Sequence, residues 1–199
     1  MRDHDPANLL RRKWLLRATG ASGGVVLAAA AIPFLHSLAP SEAARAAGAP
    51  AEVDIAHIAP GALLTTEWRG RPVWILHRTE RMIAQLREDD ARLADPRSRQ
   101  DQQPPYARNA TRSIRPAFLV ATGICTHLGC VPVYRPDVAS ADLGGDWDGG
   151  FYCPYHGSRF DLAGRVFKNV PAPSNLEIPP YEYLAQTRLR IGADRDNPA

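Results

Sequence analysis

The chain has 199 residues, 45% apolar, 23% charged and 8% aromatic, which suits one folded domain of about 100–150 residues plus an appendage and excludes a disordered or fibrous protein. The formal charge of +3 comes entirely from residues 1–17, where Arg2, Arg11, Arg12, Lys13 and Arg17 outweigh Asp3 and Asp5; the neutral remainder excludes a basic nucleic-acid-binding domain. With 18 prolines and 15 glycines the composition leans to loop-rich β structure, and three cysteines, an odd number, exclude a disulfide-dense scaffold.

Residues 1–17 form a basic leading segment. From Ala18 to Leu35 no side chain is charged. Eighteen helical residues reach about 27 Å, and continuing to Leu38 completes a span of a hydrocarbon core about 30 Å thick. Gly20, Gly23, Gly24 and Pro33 would weaken such a helix in water but are tolerated in lipid. Residues 18–38 are therefore read as a transmembrane anchor. The basic cluster before it, with only Glu42 and Arg45 close behind, places the N-terminus in the cytoplasm and the rest across a bacterial inner membrane. The alternative is a cleaved secretory signal with Ala-rich cleavage positions around Ala43–Ala49. The apolar run exceeds a signal core of about 7–15 residues, which favours the anchor. Arg11-Arg12-Lys13-Trp14-Leu15-Leu16 resembles a twin-arginine export signal, the route for proteins exported already folded. Residues 39–51, small and Pro-flanked, read as a flexible tether.

Residues 52–199 read as a mainly β, antiparallel domain with one inserted helix. Strand character appears at Val53–Ile58 and Leu63–Arg69, then after a Gly70-Arg71 turn at Pro72–His77, the last two forming a hairpin. Met82, Ile83, Leu86 and Leu93 recur at helical spacing and predict an amphipathic helix over Thr79–Ala94, ended by Asp95-Pro96. Residues 96–115 are a polar, Pro-rich loop, and strands return from Ala117–Ile124 to Arg188–Ile191. Trp68, Trp74, Trp147 and Phe151 are expected in the core, His57 and His77 in structural or surface positions, and His4 in an unstructured start.

The chemistry is concentrated in residues 125–130 (Cys-Thr-His-Leu-Gly-Cys) and 153–158 (Cys-Pro-Tyr-His-Gly-Ser). Each offers one Cys and one His within three positions, followed by glycine. Thiolate and imidazole bind zinc and iron–sulfur clusters alike. A structural zinc site uses the same four groups, but its usual spacing pairs Cys with Cys and His with His. Independent core cysteines and buried histidines explain single residues, not two matched pairs. A Rieske centre asks for two mixed pairs on facing loops, because two cysteines hold one iron and two histidines the other.

These segments resemble those of the Rieske iron–sulfur subunit of ubiquinol–cytochrome c reductase, the cytochrome bc complex. The resemblance extends over the anchor, the tether, WRGRPVWILHRT, the inserted helix, PPYARNATRSIRP, CTHLGCVP, CPYHGSRFDLAGRVF and VPAPSNLEIPPY. It implies a Rieske fold holding one 2Fe-2S cluster, with Cys125 and Cys153 on the buried iron and His127 and His156 on the exposed one. Ser158 would donate its hydroxyl to a cluster sulfur, and Pro171-Ala172-Pro173 would cover the cluster. The activity implied is that of a quinol–cytochrome c reductase subunit: His156 meets ubiquinol at the cytochrome b quinol site, Leu128 touches cytochrome b, and the head passes its electron to a c-type cytochrome within a dimeric complex. A Rieske carrier of another exported oxidoreductase, such as arsenite oxidase, is the second reading, and a non-redox zinc domain the third.

Two positions depart from the family pattern. The second loop usually carries a cysteine where Tyr155 stands, and that cysteine pairs with the counterpart of Cys130. Cys130 is thus left without a partner, forgoing a disulfide of about 2–4 kcal/mol. Phe160 stands where many relatives have a tyrosine that hydrogen-bonds a ligand sulfur, which predicts a lowered midpoint potential.

Overall fold

The computed structural model describes residues 6–41, 48–86 and 90–194. The chain divides into two compact units, residues 1–46 and 47–199. In the first, helix α1 runs from Pro6 to Ser37 and is exposed throughout its described side chains. It is the one helix among the described residues long and apolar enough to cross a membrane. It begins well before Ala18 because Ala7, Leu9, Leu10, Leu15 and Leu16 are themselves good helix formers. Its two serines close on the helix itself: Ser22 Oγ donates to the Ala18 carbonyl (2.9 Å) and Ser37 Oγ to that of Phe34 (2.7 Å). Residues 42–47, in the middle of the expected tether, and His4 lie outside the described residues.

The second unit is built of three antiparallel three-stranded sheets. β1 (Ala51–Asp54) pairs with β9 (Arg188–Ile191), which pairs with β8 (Tyr181–Tyr183), so the first and last strands of the domain are neighbours. β2 (Leu63–Trp68), β3 (Arg71–His77) and β4 (Phe118–Thr122) form the second sheet; β5 (Val133–Arg135), β6 (Gly150–Tyr152) and β7 (Arg159–Phe160) form the third. The expected hairpin is present, with Trp68 opposite Arg71 across its turn. Central β3 buries Val73, Trp74, Ile75 and Leu76 in succession, as an apolar strand covered on both faces must. Trp74 stacks on Phe151 of β6 at 4.8 Å between ring centroids, which joins the second sheet to the third. Trp68 and Trp147 are also buried, as expected of core residues.

The strands expected over Leu63–Arg69 and Ala117–Ile124 are trimmed at their ends to Leu63–Trp68 and Phe118–Thr122, and two further elements are cut short. The strand expected over Val53–Ile58 stops at Asp54, whose Oδ1 accepts the Ala56 N–H (2.9 Å) and turns the chain. The helix expected over Thr79–Ala94 is α2, Glu80–Gln85, capped by Thr79 Oγ1 accepting the Met82 N–H. Residues 87–89 lie outside the described ones. Beyond a 3-10 turn at Asp90–Arg92 the backbone pairs instead with 166–168: Ala94 N–H donates to Val166 O, Lys168 N–H to Arg92 O, and Leu93 bridges Phe167. Leu93 is buried by that pairing, so its place in the apolar pattern was real although its helix was not.

The stretch 96–115 contains a 3-10 turn at Pro105–Ala107 and no strand, yet it is pinned from inside. Three wholly buried guanidiniums, of Arg78, Arg112 and Arg165, converge on the turn that follows β7. Arg78 donates to the carbonyls of Thr111, Pro116 and Leu162, and Arg112 to those of Ala163, Gly164 and Leu176 and to Gln103 Oε1. Arg165 pairs with the equally buried Asp161 (Nε–Oδ2 2.7 Å). Burial lowers Arg78 and Arg112 to about 10, which leaves both charged at neutral pH.

Candidate metal centre

β4 leads through Gly123 and Ile124 into residues 125–130, and β6 runs straight into residues 153–158. The two segments are closed by the same pair of backbone bonds. Cys125 N–H donates to Cys130 O (2.7 Å) and Gly129 N–H to Cys125 O (3.0 Å). Cys153 N–H donates to Ser158 O (2.8 Å) and Gly157 N–H to Cys153 O (2.9 Å). Gly129 and Gly157 occupy equivalent places with φ of +80° and +76°, a left-handed conformation that side chains with a Cβ resist. The trailing glycines noted in the sequence thus close two copies of one turn. The histidines are offset by one position, His127 second after its cysteine and His156 third.

A third segment ties the two turns together. Thr126 Oγ1 donates to Ser174 O (2.7 Å), and Ala172 N–H donates to Ser158 Oγ (3.1 Å). Ala172 and Ser174 therefore fasten this segment to both turns. Accepting from Ala172 leaves the hydroxyl hydrogen of buried Ser158 available to donate. The contribution of Thr126 was missed in the sequence; a hydroxyl residue directly after a ligand-type cysteine in a turn was the available signal.

The structure brings the sulfurs of Cys125, Cys130 and Cys153 within 4.8 Å of one another. The rings of His127 and His156 stand edge to face with centroids 4.8 Å apart. Cys125 and Cys153 are buried, His127 is half-buried and His156 is exposed, so the sulfurs form an inner group and the imidazoles an outer one. Burial pushes the Cys125 and Cys153 thiols above the usual cysteine range. His127 Nδ1 is buried and meets no hydrogen-bond partner. A lone pair hidden from water without a partner is costly unless it faces a ligand-accepting atom. Two buried thiols, two adjoining imidazoles and that orphaned nitrogen fit a Rieske-type cluster.

Cys130 has no disulfide partner, as expected from Tyr155: all three cysteines are free thiols, and the Cys130 Sγ lies 2.7 Å from Cys153 Sγ. Tyr155, at the tip of the second turn, points into solvent with 72% of its surface exposed. Tyr155→Cys, supplying the partner that the resemblance implies for Cys130, is expected to raise stability by about 2–4 kcal/mol, read as a higher urea midpoint that reductant reverses.

Comparisons with known proteins agree with this geometry. The family described as "Rieske [2Fe-2S] domain" matches residues 101–182, and that described as "Ubiquitinol-cytochrome C reductase Fe-S subunit TAT signal" matches residues 1–41. The ubiquinol–cytochrome c reductase iron–sulfur subunit of Allochromatium vinosum is 57% identical over 188 residues, covering 94% of this chain and 91% of that protein. Its counterpart from Bradyrhizobium diazoefficiens is 42% identical over 92% of this chain and 94% of that protein. That from Blastochloris viridis is 41% identical over 97% and 98%. A mainly antiparallel β domain behind an apolar helix, two matching cysteine turns with their histidines side by side, and relatives aligned almost end to end place the chain in the family of ubiquinol–cytochrome c reductase iron–sulfur subunits, with a domain of the Rieske [2Fe-2S] type.

Proposed function

We propose that this protein accepts electrons from a quinol at a cytochrome b subunit and delivers them to a c-type cytochrome, with Cys125, Cys153, His127 and His156 holding the cluster. The observation that carries the reading is the layering of the site: buried thiols beneath, and above them an exposed imidazole, His156, at the domain surface. When bound, a Rieske cluster supplies a one-electron acceptor. The outward ring nitrogen of His156 accepts a hydrogen bond from the quinol hydroxyl and takes up its proton, a role for which an imidazole is suited near neutral pH. Leu128 and Tyr155, exposed at the tips of the two turns, offer apolar contact to the cytochrome b surface and exclude water from that hydrogen bond. Ser158, buried beside Ala172, would have its hydroxyl hydrogen free to donate toward the cluster.

Residues 1–17 are cytoplasmic on this proposal, 18–38 cross the inner membrane, 39–51 form the tether, and 52–199 face the periplasm within a dimeric complex. Reduced membranes are expected to show a Rieske EPR signal whose g values shift when a quinol-site inhibitor is added. A signal indifferent to the inhibitor would point to a carrier that docks elsewhere, such as the small subunit of another exported oxidoreductase.

Phe160, wholly buried between β6 and Val166, bears on the potential. A hydrogen bond of about 1–1.5 kcal/mol to a ligand sulfur, felt chiefly in the reduced state, corresponds to roughly 40–65 mV for one electron. Phe160→Tyr is expected to raise the midpoint by that amount in a redox titration, and an unchanged midpoint would remove this explanation.

A further inference from the structure

Cys130 has no place in the proposed ligand set, yet it is the sulfur nearest to a member of it. We propose that in the cluster-free protein Cys130 and Cys153 form a disulfide, and that this oxidised state cannot accept the cluster. The inference rests on the reading of Cys153 as a ligand. Three observations carry it. The three thiols are free and gathered within 4.8 Å, with Cys130 and Cys153 at 2.7 Å. The two turns are held in place by their own backbone bonds and by the segment at 172–174, so the approach of the sulfurs is built into the fold. Cys130 is half-buried while Cys153 is covered, so an oxidant reaches Cys130 first and Cys153 completes the exchange from within. Tyr155 supplies no competing sulfur.

The chemistry is thiol–disulfide exchange with a small-molecule or protein disulfide. Cys130 thiolate attacks the oxidant's disulfide and one thiol leaves. Cys153 thiolate then attacks the Cys130 sulfur and the second thiol leaves. Two electrons pass to the oxidant, which takes up the two protons. Cluster insertion and this oxidation compete for the same Cys153 sulfur. The cluster therefore has to be in place before the domain enters an oxidising compartment. The match of residues 1–41 to a TAT signal agrees with that order of events.

The test uses the full-length protein in detergent, stripped of iron by a chelator under reductant and then exposed to oxidised glutathione. Alkylation under denaturing conditions is expected to find one free thiol, Cys125, where the reduced form shows three, and digestion to yield a peptide pair joined through Cys130 and Cys153. Reconstitution with iron and sulfide is expected to give no Rieske absorbance or EPR signal until dithiothreitol is added. Cys130→Ser is expected to load equally before and after glutathione treatment. Three alkylated thiols, a glutathione adduct that stays on Cys130, a bridge to Cys125, or a Cys130→Ser protein still blocked by oxidant would each overturn the proposal. A Cys130–Cys153 bridge in a protein that nevertheless loads would remove Cys153 from the ligand set while leaving the bridge itself established.

Discussion

Cys153→Ala is expected to strip the protein of its cluster, with iron and acid-labile sulfide falling to background and the EPR signal lost, while Cys130→Ser at a neighbouring position retains both. The contrast separates the two roles. Cys153 and Cys125 open the two matching turns, each sulfur at the head of a loop whose N–H and C=O are both bonded within that loop. On the proposed ligand assignment, removing one such sulfur would leave the cluster one ligand short in buried surroundings. Cys130 closes its turn through its carbonyl, which serine keeps. Equal cluster content in the two variants, or loss confined to Cys130→Ser, would reverse the ligand assignment.

Asp161→Ala is expected to lower stability by about 3–5 kcal/mol, the cost of leaving one partner of a buried ion pair uncompensated. Asp161 is a hub: Oδ1 accepts the N–H groups of Ala163 (2.9 Å) and Arg165 (2.7 Å), and Oδ2 pairs with the Arg165 guanidinium. It is the wholly buried carboxylate facing three wholly buried guanidiniums, so its loss leaves their charge to neutral acceptors, chiefly backbone carbonyls. Asp161→Asn keeps the acceptor oxygen for the two N–H groups and should recover part of the loss. Urea denaturation followed by tryptophan fluorescence measures both, since Trp74 and Trp147 are buried. An alanine variant as stable as the parent would show that the turn 161–165 stands without its internal acid.

The centre was far more legible in the sequence than the scaffold behind it. Cysteine and histidine are scarce, three and six in the chain, and at fixed spacing they have few chemical explanations, so Cys125, His127, Cys153 and His156 stood out on residue type alone. The hairpin at 63–77 was legible for the same kind of reason, because PVWIL has no polar residue to spare. Arg112 and Arg165 were not: an arginine in a polar or turn-rich stretch reads as solvated, and only the tertiary structure shows its guanidinium filled with carbonyls from segments up to 79 positions distant. The amphipathic run at 79–94 illustrates the opposite error, since Leu93 satisfies a helical period while its burial comes from pairing with Phe167. The proximity of Cys130 to Cys153, 23 positions apart, depends on how two turns meet and leaves no trace in local pattern.

The first unit carries its own mechanical consequence. α1 is continuous through Arg11, Arg12, Lys13 and Arg17, and at about 100° per residue these four cations point to several sides of the rod rather than lining one stripe. At about 1.5 Å per residue its 32 residues reach about 48 Å, well beyond a hydrocarbon slab of about 30 Å, so on the proposed membrane placement the collar of charge would sit among the headgroups while the uncharged remainder occupies the lipid. A collar resists axial sliding and offers no resistance to spinning. On that placement the depth of the rod in the bilayer would be set, and its azimuth left to whatever packs beside it.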